Sequence, residues 1–315
     1  MQRLRRFSWA TLGVTLAVIL WGAYVRVSGS GAGCGKEWPI CKGKLVPNMT
    51  SFETLVEYAH RASSGLVTVM VIAQLVWALR ALPRRHPARR GAITSTFFVI
   101  TEGAVGAAIV LFERVAHDKS AARAAWMSLH LVNTFLLVAS LACTAWWMTG
   151  RPVPRLRGHG TAGLLVAGGF VGLLAVGVTG ALTALGDTLF GAKTLAEGVA
   201  ADFSPTAHFL QQIRVSHPIV AVLVGMYLLY ARQGIAAGRG PDAQRLARLL
   251  GVLVVTQLLC GVVNFMLMAP AWMQMVHLLV ADLVWIAFVL LGVTALAEGG
   301  AEPAVSGADA APVET

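Results

Sequence analysis

The sequence predicts an all-α polytopic membrane protein, with eight transmembrane helices in two pseudo-symmetric four-helix bundles. Three observations lead there. First, the 315 residues are 57% apolar and only 13% charged, with a mean hydropathy of +0.69, against about 45–50% and roughly 25% in soluble domains. So little charge cannot cover a water-soluble globule of this size. Second, eight apolar runs recur, each close to the roughly 20 residues that cross a bilayer as a helix. Third, motifs of the first half echo in the second.

In chain order the spans are placed at 8–27, 55–80, 91–112, 124–149, 161–184, 208–231, 247–268 and 272–297. The first follows a basic start and imitates a signal peptide, but no small-residue cleavage site closes the apolar run, so it is read as a retained helix. Pro and Gly punctuate the linkers PRRHPARR (83–90), GRPVPRLRG (150–158) and ARQGIAAGRGPDAQR (231–245), as chain reversals require. Residues 1–150 form the first bundle, with an outer loop at 28–54, and 151–158 a cytoplasmic linker. Residues 159–297 form the second bundle, and 298–315 an Ala/Pro/Glu-rich tail read as disordered.

The net charge of +10 does not point to nucleic acid, because the arginines cluster between apolar runs and form no continuous basic face. They set orientation instead. With the N-terminus inside, cytoplasmic segments hold 15 of the 25 lysines and arginines, so both termini face the cytoplasm of a plasma-membrane protein. The four cysteines are too few for a disulfide scaffold. Cys143 and Cys260 lie inside apolar runs, which leaves Cys34 and Cys41, in one polar outer loop, as the only candidate pair.

The repeat shows as VRVSGSG (25–31) against VGVTGAL (176–182), and TEGAVG (101–106) against TQLLCG (256–261). Four spans separate the copies, so both halves point the same way, as expected for bundles related by an axis along the membrane normal. Five histidines fall in or at spans: His60, His130, His208, His217 and His277. An ionisable residue in a span is costly and needs a function or a partner; a lone one is as readily a hydrogen-bonded packing residue. Here His60 and His217, and His130 and His277, match across the repeat, each one to two turns below the outer end of an even-numbered span. Two facing imidazoles at one depth in an apolar bundle suit the axial ligands of a haem. A zinc site needs three or four converging ligands. His208, at the membrane edge, is set aside as interfacial.

The halves differ at one place. Glu57 stands three residues before His60, and Arg214 three before His217. A carboxylate beside a haem can move protons or position water, whereas Arg suits a propionate. Glu57 and Arg61 at i,i+4 can equally form a plain ion pair. The asymmetry favours one reactive haem site and one electron-relaying site.

The segment GSGAGCGKEWPICKGKLVP (29–47), followed by EYAHR (57–61), resembles the haem A synthase family, membrane enzymes that convert haem O to haem A for terminal oxidases. The likeness runs on through TEGAVG, a His in the fourth span, RVSHP, TQLLCG and MVHLL. It implies eight helices in two bundles, with haem O in the first and haem b in the second. By motif, Glu57 is the catalytic carboxylate, His60 and His130 are ligands of the substrate haem, and His217 and His277 are ligands of haem b. Cys34 and Cys41 are the loop disulfide, which could be structural, redox-active or a lid. Arg61 and Arg214 are candidate propionate partners. The implied partners are haem O and haem A, an electron donor (quinol or redox protein), haem O synthase, terminal oxidase assembly and the lipid bilayer. Two departures stand out: residues 185–205 lack the second cysteine pair of many members, and Glu102 stands where Gln is usual. The same ligand set would also serve a di-haem b cytochrome relaying electrons from quinol. A transporter would instead show helices broken at mid-membrane.

Overall fold

The computed structural model describes residues 1–49, 51–155 and 159–298. Its helices are α1 (Gln2–Val27), α2 (Phe52–Ala81), α3 (Pro87–Leu111), α4 (Ala121–Trp147), α5 (Gly160–Leu189), α6 (Leu195–Asp202), α7 (Phe209–Gln212), α8 (Ser216–Ala236), α9 (Pro241–Met266) and α10 (Ala271–Glu298). A 3-10 turn at Ile213–Val215 joins α7 to α8, so Phe209–Ala236 forms one span. With α6 set aside, eight helices are long and apolar enough to cross a bilayer. This is a multi-pass membrane protein.

Local chemistry starts several of the helices. The side chains of Ser51, His86 and Ser120 accept hydrogen bonds from the backbone N–H groups of Thr54, Ala88 and Arg123. Pro87 and Pro241 open α3 and α9, where a missing N–H costs nothing. His208 caps α7 in a reciprocal box with Gln211 and stacks on Phe190 at 4.9 Å.

Two boundaries differ instructively from the sequence reading. Helix α5 continues to Leu189, five residues beyond the expected end. Its last polar residues are paired: Asp187 accepts from Arg214 (3.1 Å), and the Thr188 hydroxyl takes a bond from Arg26 (2.9 Å) while donating to Ala184 O. Helix α10 includes Glu298, whose carboxylate accepts the Gly240 N–H at 2.7 Å, so the expected tail cannot begin at 298. The remainder of that tail, 299–315, and linker residues 156–158 lie outside the described residues.

Helices α1 to α4 pack as a ring, α1 on α2, α2 on α3, α3 on α4 and α4 on α1. Helices α5, α8, α9 and α10 pack in the same cyclic way. The rings meet along α1 and α4 against α5 and α10. Aromatics seal this seam: Trp285 stacks on Phe135 at 5.0 Å and donates its indole N–H to Phe135 O at 2.7 Å, with Phe170 tilted against it at 5.2 Å. At one end Arg26 joins α1 to α10 through Gln274 Oε1 (3.0 Å); at the other, Trp146 donates to Thr294 (3.1 Å). Leu164, Leu223, Tyr230 and Val252 point outward and exposed, as lipid-facing positions do.

Candidate functional site

One cleft of about 1760 Å³ runs along the seam, and His60, His130, His217 and His277 all line it. They sit at the ninth residue of α2, the tenth of α4, the ninth of the span beginning at Phe209 and the seventh of α10. The four are thus at similar depth below the end that carries the Cys loop, about 10–15 Å in at 1.5 Å per residue. That is somewhat deeper than the one to two turns expected.

Each imidazole is seated against a glycine of the preceding long helix. A Cβ on Gly22 of α1 would lie 2.8 Å from His60 Cε1, and one on Gly106 of α3 would lie 3.8 Å from His130 Cε1. The matching figures are 3.0 Å for Gly180 of α5 and His217, and 3.4 Å for Gly261 of α9 and His277. The same ring atom is nearest in every case. Nδ1 of His60, His130 and His277 is buried with no hydrogen-bond partner among the described residues, and Nδ1 of His217 makes only a 3.3 Å contact with Thr179. Unpartnered imidazole nitrogens are rare in protein interiors, and a bound group in the cleft would account for them.

The second pair fits a metal between its rings. The His217 and His277 centroids are 6.4 Å apart with planes at 88°. Two metal–nitrogen bonds of about 2.0 Å, plus the roughly 1.1 Å from ring nitrogen to ring centre on each side, span about the same distance. Among the described residues no cluster of three or more His, Cys, Asp or Glu could hold a bare metal ion. A metal that brings its own equatorial ligands, as haem iron does, needs only two side chains. The first pair, His60 and His130, lines the same cleft.

Glu57 is buried one turn above His60. Its Oε2 accepts the Cys34 N–H at 2.8 Å, while Oε1 accepts from Arg61 Nη2 (2.5 Å) and Nε (3.1 Å). Arg61 also donates to the Glu37 and Ile40 carbonyls at 2.6 and 2.8 Å. The i,i+4 ion pair is therefore present and is also the clamp that holds the Cys loop on α2. Within that loop Cys34 and Cys41 form a disulfide, and both residues are buried. Gly33 lies so close to the Glu53 carbonyl that any side chain there would collide with backbone, at 2.2 Å. Trp38, Leu45 and Val46 turn apolar surface toward the cleft. At the matching place in the second half, Arg214 pairs with Asp187 (3.1 Å) and Asp202 (2.5 Å).

Glu102, noted in the sequence only as standing in place of a Gln, lies beside a histidine of the first pair. Its Oε1 is 3.6 Å from His130 Nδ1 and accepts from the Thr134 hydroxyl, while its Oε2 accepts from Asn133 Nδ2, each at 2.5 Å. At the corresponding site Gln257 Nε2 is 3.3 Å from His277 Nε2. The glycines were missed as a set, although TEGAVG and TQLLCG end on two of them, Gly106 and Gly261. The other echo is out of register. VRVSGSG pairs Gly29 with Gly180, but the glycine that faces a histidine is Gly22, because α1 ends at Val27 while α5 runs two more turns past Gly180. Asp282 was not singled out either: it is fully buried on α10, lines the cleft, and neither carboxylate oxygen has a partner among the described residues.

Eight spans around one cleft, with histidines in pairs at one depth, define a polytopic membrane protein organised around paired imidazoles. The chain belongs to the COX15-CtaA family of cytochrome oxidase assembly proteins, whose model matches residues 5–289. It is 47% identical over 299 residues to a "Protoheme IX farnesyltransferase" of Thermus thermophilus, a match covering 95% of this chain and 49% of that protein. It thus spans about half the length of that relative. It is 30% identical over 231 residues to a "Heme A synthase" of Exiguobacterium sibiricum, covering 73% and 74% of the two chains. Against a "Heme A synthase" of Symbiobacterium thermophilum it is 42% identical over 111 residues, 35% of this chain and 36% of the relative.

Proposed function

We propose that this chain is a haem A synthase, a membrane oxidoreductase that converts a methyl group of haem O to the formyl group of haem A. The observation that carries the reading is the set of four imidazoles at matched depth, each backed by a glycine, around one cleft. Residues 1–150 form the substrate bundle, in which His60 and His130 hold the haem O iron. Residues 159–297 form the second, in which His217 and His277 hold a resident haem b. When bound, haem b supplies one-electron transfer.

Methyl-to-formyl conversion adds one oxygen, removes two hydrogens and is a four-electron oxidation. It calls for an oxygen source and an electron-exchanging partner, a quinol or a redox protein. The chain contributes an apolar cleft that limits water, two imidazoles that orient the substrate, and Glu57, which lines the cleft on the His60 side and can hold a proton there. The Cys loop faces outward with both termini in the cytoplasm, on the arginine count. The Thermus relative's name supports the choice of substrate. A protohaem IX farnesyltransferase makes a farnesylated haem, and half of that protein matches this chain. Haem O synthase and the terminal oxidase are the partners this reading expects upstream and downstream.

The test is the haem content of paired variants. His217→Ala with His277→Ala is expected to lose haem b and keep the capacity to bind haem O. His60→Ala with His130→Ala is expected to keep haem b and make no haem A. A full low-spin haem b complement in the first variant would overturn the assignment.

A further inference from the structure

Three arginines surround the mouth of the cleft above the first histidine pair. Arg26 lies one turn beyond Gly22 on α1, the glycine behind His60. Arg123 lies two turns before His130 on α4, hence on the same face. Arg114 follows the end of α3. All three line the cleft.

Their protein partners leave donors free. Arg26 donates only to uncharged groups: Ala184 O, Thr188 Oγ1 and Gln274 Oε1. Arg123, 95% buried on a relative exposure of 5%, gives Nη1 to the Ala116 and Asp118 carbonyls (2.5 and 2.8 Å), and its Nε has no partner among the described residues. Arg114 reaches Asp118 and Ser120 only at 3.4 and 3.5 Å, and its Nε is likewise buried and unpartnered. The Asp118 carboxylate is reached by Arg114 alone, while Arg123 takes only the Asp118 backbone carbonyl and Arg26 has no carboxylate in hydrogen-bonding reach. The other arginines at this end are engaged: Arg61 holds Glu57 and the Cys loop, and Arg214 holds Asp187 and Asp202. Neither has the free donors that the sequence reading gave it as a propionate partner.

Asp187 and Asp118 lie near Arg26 and Arg123, but neither carboxylate is hydrogen-bonded to them, so both guanidiniums face the apolar mouth without a direct ion pair, and a dianion there would supply one. We propose that Arg26, Arg114 and Arg123 form the site for the paired carboxylates of a porphyrin in the first bundle, with Arg114 and Arg123 supplying the free Nε–H donors. The inference rests on the reading of His60 and His130 as haem ligands. The two-turn rise from His130 to Arg123, about 10 Å, matches the reach from a porphyrin's iron to the ends of its propionate arms.

The test uses the full chain carrying His217→Ala and His277→Ala, in phosphatidylcholine nanodiscs, titrated with iron protoporphyrin or its dimethyl ester and followed at the Soret band. The diacid should bind at least 100-fold more tightly than the diester. Arg123→Gln and Arg114→Gln should each weaken the diacid by about 10-fold or more and leave the diester unchanged, the loss expected for one charge-assisted hydrogen bond. Arg114 has the weaker partners, so its variant keeps the proposal testable should the Arg123 variant misfold; disulfide retention and thermal unfolding check both. Equal affinity for diacid and diester, or equal weakening of both, would overturn the proposal. So would variants that lose retained phosphatidylglycerol with unchanged porphyrin affinity, since the ligand would then be a lipid headgroup. If His60→Ala with His130→Ala leaves low-spin binding intact, it is the histidine reading that fails.

Discussion

Adding one methyl group at Gly22 tests the histidine seats directly. In Gly22→Ala the new carbon would lie 2.8 Å from His60 Cε1. Carbon–carbon contacts are comfortable from about 3.5 Å, so the imidazole must retreat by roughly 0.7 Å. Metal–nitrogen bonds tolerate deviations of only about 0.2 Å. The ring can therefore keep either its seat or its bond to iron. The substitution should otherwise help the fold, since Ala is about 1 kcal/mol better than Gly inside a helix; lost haem binding could not then be blamed on a weaker α1. The four glycines form a graded series: Gly22 and Gly180 are tightest at 2.8 and 3.0 Å, Gly261 intermediate at 3.4 Å, and Gly106 open at 3.8 Å. Alanine variants of all four, purified and assayed for bound haem by pyridine haemochrome and electron paramagnetic resonance, should follow that order. Gly22→Ala should lose the first-bundle haem, Gly180→Ala the second, and Gly106→Ala neither. Parental haem content and spectra in Gly22→Ala, or heavy loss in Gly106→Ala, would refute the reasoning.

Glu57→Gln should retain the second-bundle haem and abolish haem A formation, with haem O or a partly oxidised form accumulating in extracted pigment. Near-parental product would remove Glu57 from the chemistry and leave it as a clamp. Because that clamp is a buried ion pair (side-chain exposure 5% and 10%), Glu57→Ala, which strands Arg61, should cost about 3–5 kcal/mol in unfolding; a thermal shift close to zero would contradict the geometry. Replacing Cys34 and Cys41 by Ser should lower thermal stability and expose the loop to protease, while mass spectrometry of the parent shows the two linked. Asp118, in the α3–α4 connection, is held below the ordinary aspartate range. Partial burial works against this, and the hydrogen bonds from the Ser120 N–H (2.9 Å), the Ser120 hydroxyl (2.9 Å) and Arg114 outweigh it. A depressed carboxylate stabilises the fold above its unfolded-state value and loses that contribution as pH falls through the folded one. Amide protection factors in this connection, measured against the intrinsic exchange rate at each pH, should therefore be high at neutral pH and fall only at strongly acid pH, and Asp118→Asn should remove that fall.

Much of this was legible in the sequence because a bilayer enforces simple rules. Eight apolar runs became eight spans, and the four histidines fell at one depth because like-numbered helices enter from the same side. The Cys34–Cys41 bond was legible too, since no other two cysteines share a polar loop. What stayed hidden depends on contacts between helices. Composition does not separate a glycine that seats a ring, such as Gly22, from one that merely occurs in a span, such as Gly13, with open space beside it. The ends of α5 and α10 were misjudged because polar Asp187, Thr188 and Glu298 look like loop residues until their partners are known. Arg61 and Arg214 were natural anion binders by position, but their donors are committed to the protein's own groups. The less conspicuous Arg114 and Arg123 retain free ones.

The central claim is that two histidine pairs hold two chemically different haems and that the first is oxidised at a methyl group. The most direct measurement is extraction of pigment from the full chain, purified from cells supplying haem O, with each haem identified by mass. The account predicts haem B together with haem O and its hydroxylated and formyl products, and loss of the products alone in His60→Ala. Haem B as the sole pigment at two equivalents per chain, with no farnesylated haem bound, would contradict it and identify the protein as an electron relay.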